Sequence, residues 1–358
     1  MRVALLTSAR TWRGSGTSLA NIARGLAGHG HTVDLLATMP AVTAGFAAQG
    51  LAVRELPIRD TGLREARILL SALRELGSDV VLAEKPRDLR LGALASLARR
   101  FTLVYRHNVG QATPPHDAVV RLAYRRVALT VFLTRAAAAQ ARSVAPFMVR
   151  RPARVIYEAV DAERFRPDAA GGRAFRERHG LGDRPFLLAV GALEREKRYD
   201  WLLDALARLG PQGPPLLVCG EGGFAGLIRD QAARLGLDAR LLGFLAPVEL
   251  ATAYNAATCV VHACPVETFG LALAEAMACG RPVVAVAGAA LGEVLGDAGV
   301  LTSDDPEQYA LALAELLADP PRRSALGSAA RRRAIELFSL ERMGREYAAA
   351  LEDAKNAS

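Results

Sequence analysis

Pro265 to Ala285 reads PVETFGLALAEAMACGRPVVA. Its two acids, Glu267 and Glu275, stand eight apart, and Thr268, Phe269 and Gly270 directly follow the first. Leu271 to Cys279 is a run of good helix formers with apolar residues at helical spacing. Gly280 stops that helix, and Pro282 opens the β-branched pair Val283-Val284. Thr258 to His262 reads as a short buried strand. The stretch is therefore predicted to be strand, loop, helix, strand, with a Thr-Phe-Gly turn at the helix N-terminus. A first helical turn carries unpaired N–H groups and about half a positive charge, which favours an anion. Gly270 lets the backbone approach a ligand closely. Two carboxylates there are not phosphate ligands; a ribose hydroxyl pair or a cationic centre suits them better. The plainer reading, equally open on periodicity alone, is a capped α/β helix bearing two solvated glutamates.

The same rhythm runs outward to both ends of the chain. In the first half, strand-like runs at Val3–Thr7, Thr32–Ala37, Ala52–Pro57, Asp79–Ala83, Thr102–Tyr105 and Leu129–Leu133 alternate with helix-like runs. Those helices are Ser18–Ala27, Arg64–Leu76, Leu89–Arg99, Ala118–Arg126 and Arg135–Ser143. Strand and helix alternate again from Pro185 to Leu317, after a proline-marked linker at Pro146–Pro167. Two parallel, doubly wound sheets follow, with ligand sites at the carboxyl ends of strands. Two final helices, Arg322–Phe338 and Leu340–Asp353, close the chain.

Composition bounds the function. The 358 residues exceed one ordinary domain and fit two of roughly 160 to 190. No apolar run approaches about 18 residues, so no spanning helix is expected, and the first residues read as a strand rather than a signal peptide. The four cysteines lack zinc-type or redox spacing and are expected to be lone buried thiols in a reducing cytoplasm. Residues 1–165 hold 24 Lys+Arg against 12 Asp+Glu, net +12, while the remainder holds 21 against 25, net −4. The basic half lacks an aromatic-interleaved strand or a nucleic-acid motif. An anionic membrane surface or anionic acceptor suits it better, beside the plain alternative of an arginine-rich solvated surface.

The ordered set of motifs carries a family resemblance. ETFGLALAEAMACGRPVVA resembles the signature of glycosyltransferase family 4, retaining sugar transferases of the two-domain GT-B fold. VIYEAVDAERFRP (Val155–Pro167) is similar to the family's interdomain linker, and VGALEREKRYDWLLDAL (Val190–Leu206) to its lysine-bearing loop and helix. CGEGG (Cys219–Gly223) and GFLAPVELATAYNAATCVVHACPVE (Gly243–Glu267) follow in order. The resemblance covers nearly the whole chain and is specific in its second half. It implies an α/β GT-B architecture, two Rossmann-like domains facing a central cleft, with the last helix crossing back. Residues 1–152 would bind acceptor and 153–340 the nucleotide-sugar donor, with 341–358 packing on the first domain.

The resemblance also implies roles for residues. Lys197, a point charge suited to a diphosphate, would steady the leaving group with backbone amides around Phe269, Gly270 and Leu271. Glu275 would hold the ribose hydroxyls, and Glu267 and Thr268 would lie at the donor, with Glu267 by its sugar. Gly220 and Glu221 would belong to the donor site, and Phe244 and Leu245 would flank the base. His107, after the Thr102–Tyr105 strand, would lie close to the transferred sugar. The family's paired glycine after the first strand aligns with Arg13 and Gly14, so only Gly14 matches. A family arginine in the lysine loop is Ala192 here, so either Arg195 substitutes for it or the helix N-terminus at Phe269–Leu271 carries more of the charge. Glu84-Lys85, at another strand end, reads either as an acceptor contact or as a solvated loop. Asp304-Asp305, followed by Pro306, is expected to cap a helix rather than hold metal.

The expected activity is transfer from a nucleoside diphosphate sugar to a glycan, lipid-linked or small-molecule acceptor, with retention at the anomeric carbon. No catalytic metal, cofactor or nucleic acid is expected, and the location is cytoplasmic or peripheral on the inner membrane face. A nucleotide-sugar epimerase or hydrolase, or a non-catalytic binding subunit, are the alternatives.

Overall fold

The computed structural model describes residues 1–108 and 118–357. It divides into two compact units, Met1–Ala159 with Leu340–Ser358, and Val160–Ser339.

The first unit runs β1 (Arg2–Thr7), α1 (Gly14–Gly28), β2 (Thr32–Ala37), α2 (Pro40–Ala48), β3 (Val53–Glu55), α3 (Leu63–Leu76), β4 (Val80–Ala83) and α4 (Pro86–Ala95). It continues with β5 (Thr102–His107), α5 (Ala118–Tyr124), β6 (Val127–Phe132), α6 (Arg135–Val144) and β7 (Ala153–Val155). Seven parallel strands lie in the order β3-β2-β1-β4-β5-β6-β7, so the order reverses between β1 and β4. The second unit runs α7 (Ala169–Arg178), β8 (Leu187–Val190), α8 (Tyr199–Ala207), β9 (Leu216–Cys219), α9 (Ala225–Arg234), β10 (Ala239–Gly243) and α10 (Pro247–Ala256). There follow β11 (Cys259–His262), α11 (Leu271–Ala278), β12 (Val283–Val286), α12 (Ala289–Leu295), β13 (Val300–Thr302), α13 (Pro306–Ala318) and α14 (Pro320–Leu337). Its six parallel strands lie in the order β10-β9-β8-β11-β12-β13 and reverse between β8 and β11. Central strands such as Val80–Ala83 and Val283–Val286 are buried at every residue, as parallel strands covered on both faces must be.

Three expectations change. The first unit extends to Ala159 rather than residue 152, because β7 adds to β6 at the edge of the first sheet. Helix α1 begins at Gly14, so the residues expected as a glycine loop form its first turn. Helices α2, α7 and α12 lie where no helix was predicted.

The last helix, α15 (Leu340–Asn356), belongs to the first unit and packs on α1. Gly25 and Gly344 face each other there; a Cβ on Gly344 would fall 2.5 Å from the Gly25 carbonyl oxygen. Tyr347 and Leu351 join Leu19, Ile22 and Leu26 in one core.

A second feature of this unit is a buried ionic cluster at the ends of its strands. The guanidinium of Arg106, fully buried on β5, donates from Nη1 to Glu84 (2.9 Å) and from Nη2 to Glu158 and Ser18. Glu84 also accepts from Thr7 (3.1 Å) and Asn108 (2.9 Å). Glu84 is thus neither a solvated loop residue nor free to touch an acceptor: it is part of the interior.

Candidate functional site

In open parallel sheets ligands bind beyond the carboxyl ends of the strands where the order reverses. In the second unit that point is β8 beside β11; Arg195 and Lys197 follow β8 and Glu267 to Glu275 follow β11, while Gly220 and Glu221 follow β9 and Phe244 and Leu245 follow β10. After β8 the chain forms a 3-10 turn, Arg195–Lys197, before α8. After β11 it passes through Glu267 into α11. The Lys197 ammonium meets Glu267 Oε1 at 2.5 Å, and His262 Nε2, at the end of β11, lies 3.1 Å from the same oxygen. Burial works against the charge on Glu267, but the close approach of His262 and the nearby Lys197 outweigh it and bring the carboxyl down to about 2. Its side chain is only 14% exposed, so the solvated-glutamate reading fails. A small cavity lined by Val190, Lys197, Tyr199, Val261 and His262 opens beside this group.

Glu275 lies one turn into α11 and is 8% exposed. Its Oε2 is 3.1 Å from the Tyr254 hydroxyl, which also lies 2.8 Å from the Ala272 carbonyl oxygen. One hydroxyl proton cannot serve both acceptors, so a protonated Glu275 is the better partner whenever Tyr254 donates to Ala272. Burial pushes the Glu275 carboxyl up to about 7 despite the Tyr254 contact.

The turn before α11 departs from expectation in one respect. The Phe269 side chain is buried and packs edge-on against Phe338, with ring centroids 5.1 Å apart, so only its backbone can serve a ligand. Gly270 caps the helix at φ 92°, a left-handed conformation that glycine adopts without penalty. Thr268 is half-buried and Leu271 begins the helix.

The neighbouring turns are stitched together. A Cβ on Gly220 would fall 1.9 Å from the Gly191 carbonyl oxygen, so the turns after β8 and β9 touch through backbone. The Leu193 N–H donates to Glu221 O and the Gly220 N–H to Gly243 O. The Glu221 and Arg195 side chains are exposed, Leu245 is half-buried, and Phe244 is 59% exposed after Gly243.

The first unit holds the remaining predicted residues. His107 ends β5, half-buried against Phe132, and burial lowers its pKa to about 4, leaving a neutral imidazole. Gly14 is exposed at the first position of α1, with open space where a Cβ would stand. The sterically required glycine is Gly16, whose Cβ would meet the Trp12 ring at 2.7 Å.

Two residues of the site escaped the sequence reading, His262 and Tyr254. His262 is a single polar residue in an apolar run and Tyr254 sits beside Asn255 in a helix; the end position of His262 on its strand was the one usable signal. His262, Cys264 and Glu267 bring potential metal-ligand atoms within 4.8 Å of one another. The fit to a cation is poor, because the Lys197 ammonium already sits on the carboxylate and burial raises the Cys264 thiol pKa. All four cysteines are free and buried. No helix among the described residues is long and apolar enough to cross a membrane.

Comparison with known proteins agrees with this arrangement. Residues 12–164 match the family Glycosyltransferase Family 4, and residues 173–333 match Glycosyl transferases group 1. A GDP-mannose-dependent alpha-(1-6)-phosphatidylinositol monomannoside mannosyltransferase of Mycolicibacterium smegmatis is 31% identical over 75% of this chain and 75% of its own length. A D-inositol 3-phosphate glycosyltransferase of Geodermatophilus obscurus is 40% identical over 57% of this chain; the chain spans about half (49%) of that relative. Among solved structures, Anabaena Alr3699/HepE in complex with UDP and glucose superposes with a TM-score of 0.85 at 22% identity, covering 98% of this chain and 99% of that one. WaaG, a glycosyltransferase of lipopolysaccharide biosynthesis, superposes at 0.72 with 18% identity, covering 98% and 99%. With both halves matched in order and the whole fold shared, the chain belongs to glycosyltransferase family 4, nucleotide-sugar transferases of the GT-B fold.

Proposed function

We propose that the protein transfers a sugar from a nucleoside diphosphate sugar, with retention and without a catalytic metal, to an inositol-bearing, glycan or lipid-linked acceptor. The observation that carries this reading is the Lys197–Glu267–His262 group at the reversal point of the second sheet, next to the N-terminus of α11. The diphosphate draws Lys197 from Glu267 and receives backbone N–H groups at Phe269–Leu271. Glu267, still held by His262, faces the positive charge that develops on the sugar ring. The bond from the anomeric carbon to the leaving phosphate oxygen breaks as the acceptor oxygen bonds on the same face. The acceptor proton passes to the departing phosphate. Lys197 acts where charge grows, which is where a fixed cation accelerates most.

Glu275 is assigned to the ribose hydroxyls, Phe244 and Leu245 to the base, and Thr268, Gly220, Glu221 and Arg195 to the wider donor site. In the first unit an acceptor role is assigned, with His107 as an uncharged hydrogen-bonding group and Gly14 as an open helix start. The inositol-bearing acceptor follows the names of the two relatives. The test is turnover of GDP-mannose and UDP-glucose with D-inositol 3-phosphate or phosphatidylinositol mannoside, with and without excess EDTA. Glycosylated acceptor is expected, unaffected by EDTA. Nucleoside diphosphate released equally without acceptor would instead indicate a hydrolase or epimerase, and loss of turnover restored by magnesium would indicate a metal.

The Glu275 assignment makes a pH prediction. An ionised carboxylate offers two charged acceptor oxygens to the ribose hydroxyls where the protonated group keeps one weaker acceptor, and the Glu275 pKa is raised to about 7. Affinity for the nucleotide sugar, whose diphosphate does not titrate there, is expected to rise as pH climbs from about 6 to about 8. Glu275→Gln should abolish that slope and weaken binding about 10- to 150-fold, the range for hydrogen bonds to a charged group. Calorimetry across pH checks both; a slope that survives the substitution removes Glu275 from the ribose.

The first unit is also assigned a contact with anionic membrane. Helix α5 exposes Val119 and Leu122 beside Arg121, Arg125 and Arg126. Vesicle flotation is expected at low salt and to weaken at high salt, since each basic residue contributes about 1 kcal/mol within a Debye length. Absence of flotation at low salt favours a soluble acceptor.

A further inference from the structure

Arg198 is the one non-glycine residue with positive φ among the described residues, at φ 55° and ψ 41°. For a residue with a Cβ that left-handed conformation is disfavoured roughly 5- to 30-fold. It is also the elbow of the lysine loop. Arg198 ends the 3-10 turn that carries Lys197 and opens α8, its N–H donating to Arg195 O (3.1 Å) and its carbonyl accepting from Leu202 N–H (3.0 Å). The direction in which Lys197 leaves the turn is therefore set by the backbone at 198.

A strained residue persists only where its surroundings over-determine it. Here the guanidinium is gripped by Asp304 through two parallel bonds of 2.8 and 2.7 Å, and it stacks over the Trp201 ring, 5.0 Å from its centroid. The paired aspartates before α13 divide their work. Asp305 caps the helix, accepting from the Glu307 and Gln308 N–H groups, whereas Asp304 does not cap and instead pairs with Arg198. The expectation that both acids serve the helix start thus holds only for Asp305.

We propose that Asp304 is a positioning residue for sugar transfer: by gripping Arg198 it holds the elbow left-handed and so presents the Lys197 ammonium at the donor site. This rests on the reading that Lys197 carries leaving-group charge. A grip of this kind is needed only because residue 198 has a side chain. Glycine adopts the same conformation unaided, so Arg198→Gly should remove the dependence on Asp304.

The experiment is a double-substitution cycle of Asp304→Ala, Arg198→Gly and both together, with Lys197→Ala alongside. Turnover and KM are measured with GDP-mannose or UDP-glucose at saturation, and amide exchange is followed over residues 194–202. Asp304 is half-exposed, so its loss should leave the fold intact. Asp304→Ala is expected to lower kcat about fivefold or more with little change in KM, and to speed exchange across the turn. In the Arg198→Gly background the same substitution should cost less than about twofold and leave exchange unchanged. Equal losses in both backgrounds, or no change in exchange or kcat on Asp304→Ala, overturn the proposal. Faster exchange with wild-type kcat in both Asp304→Ala and Lys197→Ala overturns the leaving-group reading, and the proposal with it.

Discussion

Lys197→Ala is expected to lower turnover about 100- to 1,000-fold, on the order of 3–4 kcal/mol, while weakening donor binding far less. The diphosphate is already charged in the ground state, so some affinity is lost. The charge that appears as the glycosidic bond breaks is new, and a preorganised ammonium stabilises it without reorganisation. In the free protein that ammonium rests on Glu267, a carboxylate held ionised with its pKa near 2. On the proposed reading, donor binding exchanges one anionic partner of Lys197 for another, which limits its net contribution to affinity. Turnover at saturating donor and dissociation constants for both proteins decide the matter; near-wild-type turnover would make Lys197 a binding residue only. Arg195→Ala is the companion measurement. Its side chain is exposed, without an ion pair among the described residues, and a mild effect is expected. A large loss there with a mild Lys197→Ala would transfer the role to Arg195.

The second large effect is on stability. Arg106→Met should cost the first unit about 3–5 kcal/mol, because it strands Glu84 and Glu158 in the interior without their counter-charge. Replacing all three with apolar residues of similar volume is expected to cost much less, since desolvation and attraction largely offset each other in such a triad. Urea unfolding of the single and triple variants separates the two. A single variant within about 1 kcal/mol of wild type would mean that the cluster is hydrated or rearranges at little cost.

Much of this architecture was legible because its signals are local. Thr32–Ala37 and Leu63–Leu76 fall where an apolar run and helical spacing put them. The helices that escaped notice had weak local signals. Helix α2 (PAVTAGFAA) is apolar on nearly all sides and α12 is seven residues long, so neither shows a clear face. The boundary drawn at residue 152 followed the prolines, yet the sheet decided it by adding β7 after them. At the site, spacing identified Glu267, Glu275 and Lys197 as notable. It could not show that both acids are held in the interior, because that depends on partners distant in sequence, Tyr254 for Glu275 and Lys197 for Glu267. The ionic partners of Arg106 and the pairing of Asp304 with Arg198 escaped for the same reason, since those partners lie 22 to 106 positions away.

The paired glycines at 25 and 344 bear on the order of events during synthesis. The second unit is contiguous, Val160–Ser339, whereas the core of the first takes Tyr347 and Leu351 from the final helix. All of residues 1–159 are made before the last helix exists, so the first unit lacks a wall throughout translation of the second. Until residues 340–356 are free, α1 presents its glycine-marked apolar stripe to whatever is near. The half translated first is therefore the half completed last, and a chaperone following this chain would find its client surface at the N-terminal end.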